Sequence, residues 1–175
     1  THIKRGDTIP LDPLMTVTCI ASGGVVIGEQ NPTTGNDEND MSVSLLISFG
    51  GFRYFVGGDI HEHTEQKIAD RDLVRNVHIY QANHHGSHTS SSNAFMRDLA
   101  PQTIIISNGN HGGFMHPRQV TLDLYATLPG PPNVFQTNKY LKGGKGGNVP
   151  DRFIADLVPD GPEGTILVTV DEIGR

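Results

Sequence analysis

Apolar and small polar residues alternate with period two from Leu14 to Ala21, the pattern of a strand with one buried face. A shorter apolar run, Val25 to Ile27, follows Gly23-Gly24. Upstream, Arg5-Gly6-Asp7 reads as a turn entering a short strand at Ile9 and Leu11. Residues 30–40 are polar and turn-rich, an expected exposed loop. Ser42–Phe49 and Phe52–Val56 are β-rich runs around Gly50-Gly51, which predicts a hairpin. The period then changes. His63–Leu73 is helical in pattern, with Thr64 as a candidate cap and Ile68 and Leu73 facing a core. After it come a strand at Val77–Ala82, a loop at Asn83–His88, a helix at Asn93–Leu99 and a buried strand at Thr103–Ser107. A Gly-rich loop at Asn108–His116 leads to a helix from Pro117 to Leu128, Pro being well tolerated in a first turn. Further strands are predicted at Val134–Gln136 and Thr165–Val170, with residues 138–162 as a long loop or insertion. Alternating strands and helices predict a layered α/β fold, a single domain over 1–175.

Composition narrows this picture only a little. The chain of 175 residues is long enough for one domain with a real core, and its 21 glycines and 11 prolines suit a loop-rich protein. The net charge of −6 argues against a nucleic-acid binder that relies on a basic face. It does not exclude a metal-dependent phosphodiesterase, whose cations supply the positive charge where the phosphate sits. Cys19 is the single cysteine and reads as a core residue. No run approaches the length of a membrane span.

Three segments carry polar groups just after a buried strand: Asp59, the pair His84-His85, and His116. Open α/β sheets bind ligands beyond the carboxyl ends of their strands. Asp59, His84 and His116 are therefore expected to converge on one rim. Carboxylate oxygen and imidazole nitrogen suit Zn²⁺, or Mn²⁺ when oxygen ligands increase. Each residue has a plainer reading: a turn or cap for Asp59, solvated rings for the His pair, a helix entry for His116. His61-Glu62-His63 reads as the exposed first turn of a helix, with a metal role as the alternative. Lys142 and Lys145 lie in a Gly-rich loop that lacks the setting of a phosphate-binding loop.

The stretches NDMSVSLLISFGGFRYFVGGD, VHIYQANHHGSHTSSSNAF and ISNGNHGGFMHP resemble, in order and spacing, the competence-type DNA-uptake nuclease domains of the metallo-β-lactamase superfamily. The resemblance covers about residues 36–137, with a weaker echo in RGDTIPLDPLMTVTCIAS. It implies an αββα sandwich of which this chain is the C-terminal half, with a mixed sheet flanked by helices. It implies that Asp59 bridges two metals, that His84 ligates the second, and that His85 and His116 act beside them, His116 facing the substrate phosphate or donating a proton. Ser87 and Asn108 are expected near the substrate, and Asn39 or Asp40 near a further ligand position.

The superfamily's His-x-His-x-Asp-His motif is absent. With Thr1 in place of an initiator Met, the expectation is a fragment of a larger enzyme, one that binds catalytic Zn or Mn weakly or not at all by itself. The complete enzyme would hold two ions and act on nucleic acid or another phosphodiester, other esters and a non-catalytic scaffold being the alternatives. A membrane channel domain in the parent, placement on either face of a membrane, and self-association through an exposed sheet face complete the expectations.

Overall fold

A computed structural model describes residues 2–30, 37–158 and 164–171. Nine strands form one mixed sheet: β1 (Thr8–Asp12), β2 (Met15–Ser22), β3 (Val25–Val26), β4 (Ser44–Phe49), β5 (Phe52–Val56), β6 (Ile79–Gln81), β7 (Thr103–Ile106), β8 (Asn133–Asn138) and β9 (Ile154–Asp156). The order is β1-β2-β4-β5-β6-β7-β8-β9, with β3 paired to β2. Pairing is antiparallel from β1 to β5 and parallel from β5 to β9. The hairpin β4–β5 turns at Gly50-Gly51, as its sequence predicts.

Three helices, α1 (Glu62–Asp70), α2 (Asn93–Leu99) and α3 (Gln119–Ala126), alternate with the parallel strands. Their apolar residues Ile68, Phe95, Met96, Leu99 and Tyr125 form one core with Leu46, Phe55, Tyr80, Ile104 and Ile106. Those strand residues lie on one face, as the register Leu46–Phe55–Tyr80–Ile104 requires. Burying each such side chain contributes about 1.5–3 kcal/mol. On the opposite face Leu45, Ile47, Tyr54, Val56, Ile105 and Phe135 are only half-buried. One sheet thus carries one layer of helices, the expected half of a four-layer sandwich.

Several expectations are corrected. Thr165–Val170 is not a strand: residues 164–171 have no regular structure. Residues 138–162 are not wholly irregular, because a 3₁₀ turn at Asp151–Phe153 and β9 fall within them; 159–163 lie outside the described residues. Thr64 does not cap α1. His61 holds the cap position without a side-chain bond, and the Thr64 hydroxyl donates to Asp40 instead. The loop expected at 30–40 is exposed only in part: Asp37 caps a 3₁₀ turn, Glu38–Met41, that buries Asp40, while 31–36 lie outside the described residues. Among the described residues no helix is long and apolar enough to cross a membrane.

Candidate functional site

The switch from antiparallel to parallel pairing falls at β5, and the site gathers around its carboxyl end. Gly57-Gly58-Asp59 leaves β5, Asn83-His84-His85-Gly86 leaves β6, and the loop to His116 leaves β7. His84 and His85 both take positive φ, 49° and 56°, uncommon for non-glycine residues. The Asn83 side chain, held from both sides, anchors this turn. Its Nδ2 donates to Glu65 Oε1 at 2.8 Å, and its carbonyl end lies so close to Gly57 that any Cβ there would overlap it.

The expected convergence is met for the histidines. His84 and His116 ring centroids are 5.2 Å apart, and His85 stacks on His116 at 6.3 Å. Asp59 joins through His85, whose Nε2 is 3.5 Å from Asp59 Oδ1. His85 Nδ1 lies 2.7 Å from the Ser107 carbonyl, which must accept its proton. In the neutral ring this leaves Nε2 as a lone pair on the Asp59 side. His84 Nδ1 faces Thr89 Oγ1 at 3.2 Å.

Charge at this cluster is set first by burial and then by histidines crowding one another. Burial pushes the His116 pKa down to about 4, and His84, His85, Arg118 and His88 push in the same direction. Burial also lowers His84, helped by His61 and His85 and opposed by Asp59. His116 is therefore a neutral ring at physiological pH, able to donate through N–H but not as an imidazolium.

Ser87 sits behind the rim, while Asn108 lines both grooves that open beside His85. Ser87 is 2% exposed, with its hydroxyl turned to Thr89. Asn108 Nδ2 donates to the carbonyls of Asn138, Gly109 and His116, bracing the loop that carries His116. Two grooves open beside His85, one of about 360 Å³ bordered by Ser107, Gly109 and Asn110, the other of about 180 Å³ bordered by His111, Phe114 and His116. The Lys145 carbonyl accepts from Gln119 N at the start of α3.

On the other side of His84 lies a group whose partners the sequence reading did not join. The His61 ring is 5.2 Å from that of His84. Its Nδ1 faces Asp40 Oδ2 at 3.2 Å and Asp37 Oδ2 at 3.4 Å, and His63 Nε2 faces the same Asp40 oxygen at 3.3 Å. One ligand atom each from Asp40, His61 and His63 lies within 4.8 Å of the others, the one such group among the described residues. Asn39, the companion candidate, lies beside the same group, its Nδ2 3.5 Å from His61 Nε2. His61-Glu62-His63 is indeed at a helix start, but the exposed-turn reading missed that His61 points inward. A His-x-His beside a 21-residue-distant Asp is a signal only once the hairpin between them is folded.

No family model matches the chain. It is 28% identical over 123 residues to ComE operon protein 3 of Bacillus subtilis (strain 168), covering 70% of the chain and 15% of that protein. It is 30% identical over 86 residues to Competence protein ComA of Neisseria gonorrhoeae, covering 47% of the chain and 12% of that protein. The chain thus spans a small part of these relatives' length. Among solved structures, a protein of Parabacteroides distasonis ATCC 8503 described as a metal-dependent hydrolase superposes with a TM-score of 0.51 at 16% identity, over 77% of this chain and 56% of that one. That likeness concerns the fold. The chain is thus similar in sequence to two competence proteins, and its mixed α/β fold is that of a protein described as a metal-dependent hydrolase.

Proposed function

We propose that this domain is the phosphodiester-hydrolysing part of a competence-related protein, with DNA as its substrate and a divalent-metal centre at the rim. The observation that carries the reading is the meeting of Asp59, His84, His85 and His116 beyond the ends of three neighbouring strands. The donor set fits a hard or borderline cation such as Mn²⁺ or Zn²⁺. The fit is partial within this chain, because Asp59, His84 and His85 do not bring three ligand atoms within 4.8 Å. Two ions would need further ligands, in keeping with weak binding by the domain alone. When bound, such ions supply positive charge to the phosphate and acidify an attacking water.

The chain's own side chains have distinct tasks in this reading. Asp59 and His84 hold metal. The hydrogen bond from His85 Nδ1 to Ser107 O fixes the His85 ring, so that Nε2 is available as a ligand or as a proton acceptor. His116, kept neutral by burial and by its neighbours, donates an N–H to a non-bridging phosphate oxygen. Ser87 braces the His84-His85 loop, and Asn108, which braces the loop carrying His116 and lines both grooves, stays beside the substrate.

The test is turnover of duplex DNA and of a small phosphodiester, beside a panel of lactones and carboxylic esters, by the full-length protein with Mn²⁺ or Zn²⁺. His116→Ala should lower phosphodiester turnover by roughly 100-fold or more with metal content unchanged. Asp59→Asn should abolish turnover and lower metal content. Full phosphodiester activity in Asp59→Asn, or turnover confined to the ester panel, overturns the reading.

A further inference from the structure

We infer that Asp40, His61 and His63 form a binding site for a divalent transition metal that this chain builds by itself. The site stands independently of the phosphodiester reading, since it uses none of Asp59, His84, His85 or His116.

The first argument is spacing. Zinc held at about 2.0–2.2 Å by nitrogen and oxygen in a tetrahedron requires its ligand atoms to lie about 3.4 Å apart. The contacts of Asp40 Oδ2 with His61 Nδ1 at 3.2 Å and with His63 Nε2 at 3.3 Å match that spacing, and the three ligand atoms all lie within 4.8 Å of one another. The second is the division of labour within the Asp40 carboxylate. Oδ1 accepts from the His61 backbone N–H and the Thr64 hydroxyl, both at 3.0 Å, which fixes the group's orientation. Oδ2 is left facing the two imidazoles. A buried carboxylate oriented by hydrogen bonds to one oxygen, with its other oxygen toward ring nitrogens, is how metal-binding acids are held.

The third argument is rigidity. His61 occupies the cap position of α1 and His63 its first turn, so backbone geometry spaces the two rings. Asp40 arrives from the 3₁₀ turn ahead of β4, whose cap is Asp37. Two sheet-anchored elements therefore present the ligands. The outer edge of His61 meets the Asn39 amide at 3.5 Å. Turning that amide by 180° lets its oxygen accept from Nε2–H and leaves the Nδ1 lone pair for the ion. His63 is half exposed, which gives the ion a path from solvent. Two imidazoles and one carboxylate select a borderline divalent cation, with Zn²⁺ as the natural probe.

The experiment is calorimetric titration of Zn²⁺ into the apo chain, repeated with Co²⁺ and read by its visible ligand-field bands. Wild type and Asp59→Asn should each bind one equivalent with similar affinity. His63→Ala should weaken binding by more than the roughly 10–100-fold contributed by partners of ligands. His63 is exposed, so that variant should fold, and circular dichroism checks it; His61→Gln is the second variant. Absence of stoichiometric binding by wild type overturns the site. So does binding lost in Asp59→Asn but kept in His63→Ala, which assigns the ion to the other cluster, and so does binding kept in every variant, which reports unspecific surface histidines. The phosphodiester reading fails on different evidence, turnover by the full-length protein.

Discussion

The rim has two ends, and the same residue type meets opposite surroundings at each. At one end His61 and His63 face the carboxylates of Asp40 and Asp37. At the other, His84, His85 and His116 face mainly one another, 5.2–6.5 Å between ring centroids. His61 and His84, 5.2 Å apart, mark the border. The first end favours a cation outright. The second repels added positive charge on its rings, as the lowered pKa of His116 and His84 reports, and so presents neutral rings to an anion or a metal. A sheet edge can hold two different chemistries within a few ångströms when only the neighbours of the imidazoles differ.

Glu65 ties the two ends, and removing it should have the largest effect. It follows His63 on α1, is fully buried, and accepts from Asn83 Nδ2, Ser91 N and Ser92 N at 2.7–2.8 Å. Burial pushes its pKa up while those donors hold it down. Glu65→Ala leaves three donors buried without an acceptor, each costing about 1–3 kcal/mol. Urea denaturation should show a loss of roughly 3 kcal/mol or more, with both ends disordered together. A loss under about 1 kcal/mol would mean that water replaces the carboxylate and the ends are independent.

A gentler break separates them. Gly57→Ala pushes a methyl against the Asn83 carboxamide without touching Asp40, His61 or His63. Overpacking of this kind costs about 1–3 kcal/mol. The His84-His85 turn, anchored by Asn83, should shift, while Zn²⁺ affinity at the acidic end stays unchanged. Equal losses of stability and of Zn²⁺ affinity would show one coupled site instead of two neighbours.

This division explains what the sequence could and could not reveal. The strands β2, β4 and β5 were legible because alternation is a local property, and the ends of β5, β6 and β7 marked Asp59, His84 and His116 because ligands in such sheets follow strand ends. The acidic end was hidden because its members come from either side of a hairpin, and only the β4–β5 register brings Asp40 back to His61. Glu65 was hidden for a related reason. A charged residue in a helix reads as solvent-facing, and only the loop descending from β6 makes it an interior acceptor. Thr165–Val170 failed in the other direction: its β-rich composition did not by itself make a strand, although β9 stands at the edge of the sheet.

The smallest effect expected is on pH dependence, and it isolates the histidine-rich end. The His116 pKa stands near 4 in the folded chain, against an ordinary value of about 6.5 once unfolded. Between those values the unfolded chain binds a proton that the folded chain refuses. Stability therefore falls as pH drops from about 6.5 toward 4, and this contribution levels off below that. His84 acts in the same sense. Because His116 is only half-buried, solvent screening should limit its share to about 1 kcal/mol. In metal-free buffer with a chelator, His116→Gln should flatten part of the decline in denaturation midpoint across this window and leave the midpoint above pH 7 little changed. Parallel curves for wild type and variant would show that the ring relaxes into solvent when protonated. Burial and crowding by His84 and His85 would then not govern its charge, and the electrostatic contrast between the two ends of the rim would disappear.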